Sequence, residues 1–193
     1  MKLFSRSILF LALAFFAPQA FGQNYDLWLN SGFAPTVSGN FEDPTKWSLG
    51  VIPNNTNAAA FSTAYTVNDI ALNPVFTVSE TSDQTTQALV LFGGGGFGTG
   101  ATGGVVNLTI SSPSSLTLTG TATLPNTIQV WEGITANISG NITAQSNSIA
   151  IGTDSFGGTL NLTGGTFDFT AASSFTVGDE AGDPGVLNQS GGS

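Results

Sequence analysis

A pattern of apolar stretches and glycine turns recurs in the C-terminal half of this 193-residue chain. Ile149–Thr166 and Phe175–Ser193 both read apolar-x-apolar-Gly, a polar turn, then Gly-x-Leu-Asn-x-Ser/Thr-Gly-Gly-Ser/Thr. Leu160 and Leu187 hold the same place in the two segments, which gives a period of about 27 residues. A period in the twenties, built from short strands and glycine turns, is typical of a β-solenoid with one coil per repeat.

The same motif occurs earlier, because Val106–Thr109 (VNLT) returns as Leu160–Thr163 (LNLT) two full periods later. The unit between them, around Asn137–Ile142, is degenerate and about three residues out of step. One coil cannot bury its own apolar face, so stacking must bury it against its neighbours. A β-sandwich is the alternative, since it also consists of short strands. The near-constant spacing favours an all-β, right-handed parallel β-solenoid with coils of about 27 residues.

Apolar and polar side chains alternate within these units. Val106 and Leu108 share one face of a strand, whereas Asn107 and Thr109 share the other. The sequence therefore predicts a buried aliphatic face and an outward Thr/Ser/Asn face. In stacked coils Asn107 and Asn161 are expected to form ladders, in which side-chain amides bond to one another.

The N-terminus has the pattern of a signal peptide. Lys2 and Arg6 precede a short apolar run, Ile8–Ala17, and small residues follow near Gly22. The run is too short to span a bilayer, so residues 1–22 are expected to be cleaved and the mature protein to be secreted. No other apolar run approaches spanning length, which predicts a mature chain without a transmembrane segment.

The mature chain is acidic and lacks two reactive side chains. Lys46 alone remains against twelve acidic residues, a net charge of −11. That charge argues against binding nucleic acid or an anionic membrane, which requires a basic face. Histidine and cysteine are both absent, so the commonest general base, transition-metal ligand and disulfide staple are missing together.

The mature sequence divides into two regions. Residues 23–63 contain Trp28 and Trp47, two of the three tryptophans, and are predicted to form an N-terminal cap over the apolar end of the solenoid. Residues 64–193 hold the repeats, and at the observed period the mature chain would make about six coils. The sequence stops at Ser193 inside a repeat, which predicts a region truncated at its C-terminus.

Two segments resemble a known family. Phe41–Phe61 resembles the opening motif of long secreted bacterial proteins that carry autotransporter-associated β-strand repeats or end in a PEP-CTERM sorting signal. Residues 177–192 resemble the repeat of the same proteins. The resemblance implies an exported right-handed parallel β-helix at the cell surface or outer membrane, and it brings no shared catalytic residue. The residues that match the opening motif are Trp47, Gly50, Pro53, Ala59 and Phe61.

Candidate chemical groups are sparse. Glu42–Asp43 and Asp168 are read as acids in turns or on an outward face, too isolated for a glycosidase pair. Asp179, Glu180 and Asp183 could offer oxygen ligands to Ca²⁺, although their spacing matches no known calcium loop. The remaining candidates are a glycine run, Gly93–Gly96, which lacks the Lys-Ser/Thr of a phosphate loop, and Trp131, which is read as core rather than as a sugar-stacking side chain.

The sequence thus predicts a non-catalytic, adhesin-like surface scaffold without a cofactor. The alternative is a carbohydrate-binding or carbohydrate-active β-helix whose functional residues lie beyond the chain end. Expected partners are surface polysaccharides, other cell-surface proteins, or further copies of the chain joined end to end.

Overall fold

A computed structural model describes residues 25–29, 36–62, 65–67, 70–72, 75–92, 103–121, 126–152, 157–178 and 184–192. The predicted signal peptide, residues 1–22, lies outside the described residues. The described elements are short strands and one 3-10 turn, Pro44–Lys46. The strands are β1 (Tyr25–Leu27), β2 (Thr36–Asn40), β3 (Ala58–Ser62), β4 (Tyr65–Val67), β5 (Ile70–Leu72), β6 (Val75–Glu80), β7 (Gln84–Thr86), β8 (Leu89–Phe92), β9 (Val105–Ile110), β10 (Ser115–Leu118), β11 (Asn126–Trp131), β12 (Thr135–Ser139), β13 (Asn141–Ala144), β14 (Ser148–Ile151), β15 (Gly158–Thr163), β16 (Phe167–Asp168), β17 (Ser174–Val177) and β18 (Gly185–Ser190).

These strands form three parallel sheets that stack along one direction. Sheet I has the order β1-β3-β8-β11-β14-β17, sheet II the order β7-β10-β13-β16, and sheet III the order β2-β6-β9-β12-β15-β18. From β6 onward the chain visits sheets III, II and I in turn, and each visit adds one strand beside the previous one. The parallel β-solenoid is thereby confirmed, and the β-sandwich, whose sheets are antiparallel, is excluded. A small antiparallel pair, β4–β5, is the exception.

Like residues pair with one another on neighbouring strands, although the number of residues per coil is not constant. Asn107 pairs with Asn137, Asn137 with Asn161, and Asn161 with Asn188. The successive separations along this column are 30, 24 and 27 residues. The unit that the sequence shows as out of step is in register with its neighbours, because a longer coil precedes it and a shorter one follows.

The core lies between the three sheets and is filled by the inward side of each strand. In β9 the inward Val106, Leu108 and Ile110 are almost fully buried, and Ala136 and Ile138 of β12 lie directly beside the first two. Each strand thus stacks its apolar side chains on those of the strands above and below, as the alternation predicts. Side-chain columns of this kind bury apolar area that no single coil could bury alone.

The N-terminal end is closed by aromatic side chains. Trp28 and Trp47 are each 1 % exposed, and their rings meet edge to face at a centroid distance of 4.9 Å. Phe41 and Phe61 lie against Trp47 at 4.9 and 5.6 Å. The segment predicted as a cap also supplies β1, β2 and β3 to sheets I and III, so its aromatic residues sit directly on the first coil.

Asp26 connects this aromatic end to the loop that crosses it. The side chain is fully buried and points inward beside Ala59. It accepts hydrogen bonds from Ser48 Oγ at 3.1 Å, from the Leu49 amide at 2.9 Å and from Asn57 Nδ2 at 3.4 Å. Burial raises the pKa of the Asp26 carboxyl, and the hydrogen bonds from Leu49 and Ser48 oppose the rise.

At the other end, the last described coil has a neighbouring coil on one side only, and its inward side chains are partly exposed. Phe175, Val177 and Leu187 are 41, 40 and 37 % exposed. Their partners in the preceding coil are fully buried and occupy the same inward positions; they are Ile149, Ile151 and Leu160.

Candidate functional site: the polar outer face of sheet III

The outer face of sheet III is an uncharged and mostly polar surface, here called the Asn–Thr face. It consists of the three outward positions on each of six parallel strands. None of the eighteen residues is charged, although the chain carries a formal net charge of −9. They are Thr36, Val75, Val105, Thr135, Thr159 and Val186 in one column; Ser38, Thr77, Asn107, Asn137, Asn161 and Asn188 in the second; and Asn40, Ser79, Thr109, Ser139, Thr163 and Ser190 in the third.

A ladder of side-chain amides runs up the middle column. Asn188 donates through Nδ2 to Asn161 Oδ1 at 2.8 Å, Asn161 to Asn137 at 2.7 Å, and Asn137 to Asn107 at 2.8 Å. The ladder predicted for Asn107 and Asn161 is therefore present and includes two further asparagines. Parallel in-register strands place like residues beside one another, which is the geometry that such amide ladders require.

The ladder leaves hydrogen-bonding capacity on the outside of the solenoid. An asparagine side chain has two N–H donors and two carbonyl lone pairs, and each internal member uses one of each along the column. The second donor and the second lone pair of Asn137 and Asn161 remain for groups outside the sheet. The flanking Thr and Ser hydroxyls can both donate and accept. Chemically, the face suits neutral polar partners better than ions.

The outer face of sheet I has a different character. Ala58, Ala60, Ala88 and Val90 point away from the main core, yet are at most 2 % exposed and form a second apolar cluster. Trp131 lies beside Phe92, which packs against that cluster, and is partly exposed. Sheet I is therefore buried on both sides along these strands.

Two acids singled out in the sequence stabilise local turns. Asp43 accepts from the amide and hydroxyl of Thr45 at 2.9 and 2.7 Å and begins the 3-10 turn. Asp168 bonds Thr170 in the same way at 3.0 and 2.7 Å. These hydrogen bonds lower the pKa of both carboxyl groups. Both acids are thus ionised side chains with a structural partner in their own turn.

The remaining sequence candidates cannot be placed. Asp179, Glu180 and Asp183, considered for Ca²⁺, lie outside the described residues, as does Gly93–Gly96. Among the residues that the structure does describe, no group of three acidic, cysteine or histidine side chains is arranged to hold a metal ion.

A buried carboxyl group, Glu80, was missed from the sequence. It is the last residue of β6 and faces inward on the same side as Phe76 and Val78. Its side chain is fully buried, and neither carboxyl oxygen has a hydrogen-bond partner. Burial, followed by the negative charges of Glu42 and Asp83, raises the pKa of Glu80 to about 8. The alternation beginning at Phe76 was the available signal, because it places position 80 on the buried side.

Glu42 lies beside Glu80 and behaves in the opposite way; the two residues are here called the carboxyl corner. Glu42 Oε1 accepts from the amides of Thr81 and Ser82 at 2.6 and 2.8 Å. Burial acts to raise the pKa of Glu42, but these hydrogen bonds outweigh it and the pKa is lowered. Its second oxygen, Oε2, is buried without a hydrogen-bond partner. The two neighbouring carboxyl groups therefore differ in protonation at neutral pH.

Comparison with protein-family models, with curated proteins and with solved structures gave no match. The described residues include no helix that is long and apolar enough to cross a membrane.

Proposed function

We propose that this chain is a non-catalytic scaffold of an exported surface protein, and that it presents the Asn–Thr face to a neutral polar partner. The observation that carries the proposal is the in-register, uncharged face of sheet III, which repeats over six strands. A stacked core supports this face from behind and fixes the spacing of its hydroxyl and amide groups. The export signal predicted in the sequence agrees with a role outside the cell.

Several acidic side chains are engaged in structural contacts, which agrees with a non-catalytic role. Asp43 and Asp168 are engaged in their own turns, and Asp26 is enclosed by the loop it holds. Glu80 is fully buried, and Glu42 is partly buried and bound to the Thr81 and Ser82 amides. A glycosidase would need two carboxyl groups facing each other across an open cleft.

The partner that fits the face best is a neutral polysaccharide. Sugar hydroxyls both donate and accept hydrogen bonds, as do the Thr, Ser and Asn side chains of the face. A surface without cations cannot neutralise a uronic acid or phosphate, so anionic polymers fit it poorly. This proposal names a surface and a class of ligand for the adhesin-like function that is expected from the sequence and its family resemblance.

The test is binding of the purified protein to immobilised neutral polysaccharides, with charge placed on the face. Thr135 and Thr159 are neighbours in its first column, and T135D/T159D introduces two carboxylates there. The matched control is T117D/T143D, which puts the same pair on the outer side of sheet II. We expect the first variant to lose at least tenfold in binding and the control to bind like the parent protein.

Equal loss in both variants, or no binding by the parent protein, would reject the face as the adhesive surface. Release of soluble sugars during the same incubation would reject the non-catalytic role. The alternative, a carbohydrate-active β-helix, predicts that release.

A further inference from the structure

The carboxyl corner, between sheets III and II, contains an unusual set of buried oxygen atoms. Glu80 Oε1, Glu80 Oε2 and Glu42 Oε2 all lie out of contact with water and accept no hydrogen bond. Register places Glu80 beside Ile110 of the coil after it, and Phe41 of the coil before it donates its amide to the carbonyl of Ser79, the residue before Glu80. An unpaired buried polar group is costly, so three of them at one corner require an explanation.

The surroundings of Glu80 hold negative charge and no positive charge. Glu42 faces it from the turn after β2, and Asp83 faces it from the turn before β7. On the side of β9 its neighbours are Ile110 and Ser111, which do not titrate in the physiological range. Asp83 Oδ1 is held by the Ser115 amide at 2.9 Å, and Glu42 Oε1 by two amides. Both neighbouring carboxylates are thus held in place by hydrogen bonds.

We infer that Glu80 is a protonated latch, whose neutral carboxyl group closes the corner between the coils of β2 and β6. As a carboxylate it would be a buried anion with no hydrogen-bond donor beside it, whereas the neutral acid avoids that cost. Loss of the proton would leave a buried negative charge close to two other carboxylates, and the Glu80 side chain would have to move towards water.

The consequence is a solenoid whose N-terminal coils loosen in mildly alkaline solution. In the unfolded chain Glu80 is ionised above about pH 5, whereas in the folded chain it keeps its proton until about pH 8. The folded state therefore binds more protons between these values, and its stability falls as the pH rises. For a folded pKa of 8, the folded-to-unfolded ratio should fall about 50-fold between pH 6 and pH 8.

The amino-acid composition makes the change in stability between pH 6 and pH 8 easy to interpret. The chain contains no histidine and no cysteine, so no side chain with an ordinary pKa titrates between pH 6 and pH 8. The α-amino group titrates near this window, and a variant that lacks the Glu80 carboxyl separates the two contributions.

The experiment is urea unfolding of the parent protein, E80Q and D43N at pH 6, 7 and 8. Glutamine preserves the shape of Glu80 without a titrating proton, and Asp43 is a nearby carboxylate already engaged with Thr45. We expect the parent protein and D43N to lose stability across the window, and E80Q to change less than twofold in its folded-to-unfolded ratio. A slope in E80Q equal to that of the parent protein would overturn the inference.

A second measurement does not depend on how well E80Q folds. The carboxyl carbon of Glu80, followed by NMR in the parent protein, should titrate near pH 8, and E42Q should lower that midpoint by removing a facing charge. Titration of Glu80 below pH 6, or an unchanged midpoint in E42Q, would contradict the latch. Amide exchange at Thr81 and Ser82, corrected for intrinsic rates, should accelerate at least tenfold from pH 7 to pH 9.

Discussion

Replacing one asparagine within the amide ladder should reveal how much the ladder contributes to stability. Asn137 donates to Asn107 at 2.8 Å and accepts from Asn161 at 2.7 Å, and it is partly buried. Asn137→Ala removes both bonds and leaves one donor and one acceptor without their partner. A net value of about 1 kcal/mol for each bond gives about 2 kcal/mol, and partial access of water reduces the expected loss to about 1.5 kcal/mol.

Two other substitutions on the same face serve as controls for Asn137→Ala. Asn188 ends the described ladder with one bond at an exposed position, so Asn188→Ala should cost less than about 0.5 kcal/mol. Thr135→Ala in the same strand as Asn137 corrects for the intrinsic strand preference of alanine. Urea unfolding monitored by circular dichroism gives the three values. Equal losses for Asn137→Ala and Asn188→Ala would refute the view that paired amides stabilise this face.

Three further substitutions test the core, a tight corner and the aromatic end. Ile138→Ala empties a fully buried inward position and should lower the free energy of unfolding by about 3 kcal/mol, measured by urea unfolding; a loss below about 1 kcal/mol would contradict the stacked core. Gly140→Ala combines a φ of +110° with a Cβ that would overlap the carbonyl of Ile110, so it should lower the melting temperature more than Gly50→Ala, where φ is +70° and the space is open. Asp26→Ala leaves three donors unpaired beneath the loop over the aromatic end and should cost about 2–3 kcal/mol; unchanged tryptophan fluorescence and stability would show that the loop is held by other contacts.

The sequence allowed the fold class and the polar face to be predicted because alternation and stacking act locally. Once strands of successive coils pair in register, a residue pattern such as Leu-Asn-Leu-Thr necessarily makes an apolar column, an amide column and a hydroxyl column. The ladder prediction rested on Asn107 and Asn161, and the structure added Asn137 and Asn188. The apolar and polar faces could be predicted because side chains alternate between the two sides of a strand, and this alternation is visible in the sequence.

The carboxyl corner could not be predicted as easily, since it depends on residues that are distant in sequence. Glu42 and Glu80 belong to different coils, so only the register of β2 on β6 brings them together. Glutamate at the end of a strand is normally read as solvated, and that expectation hid an inward-facing position. The strand itself continues beyond Val78, which is where the apolar pattern ends.

The coils differ in length, so a fixed repeat period does not align them. Columns of like residues do align them, because these residues lie on paired strands. In sheet I, Leu89 pairs with Ile128 and Ile128 pairs with Ile149, so one coil is nearly twice as long as the next. The extra residues lie between strands, as in the long segment that separates Phe92 from Val105. Closing a longer loop costs little additional entropy, whereas shifting a strand by one residue would turn its apolar side chains to water. Selection on such a chain should therefore conserve the residue type of each column while the corners change in length, and a search for related coils should align columns rather than count residues.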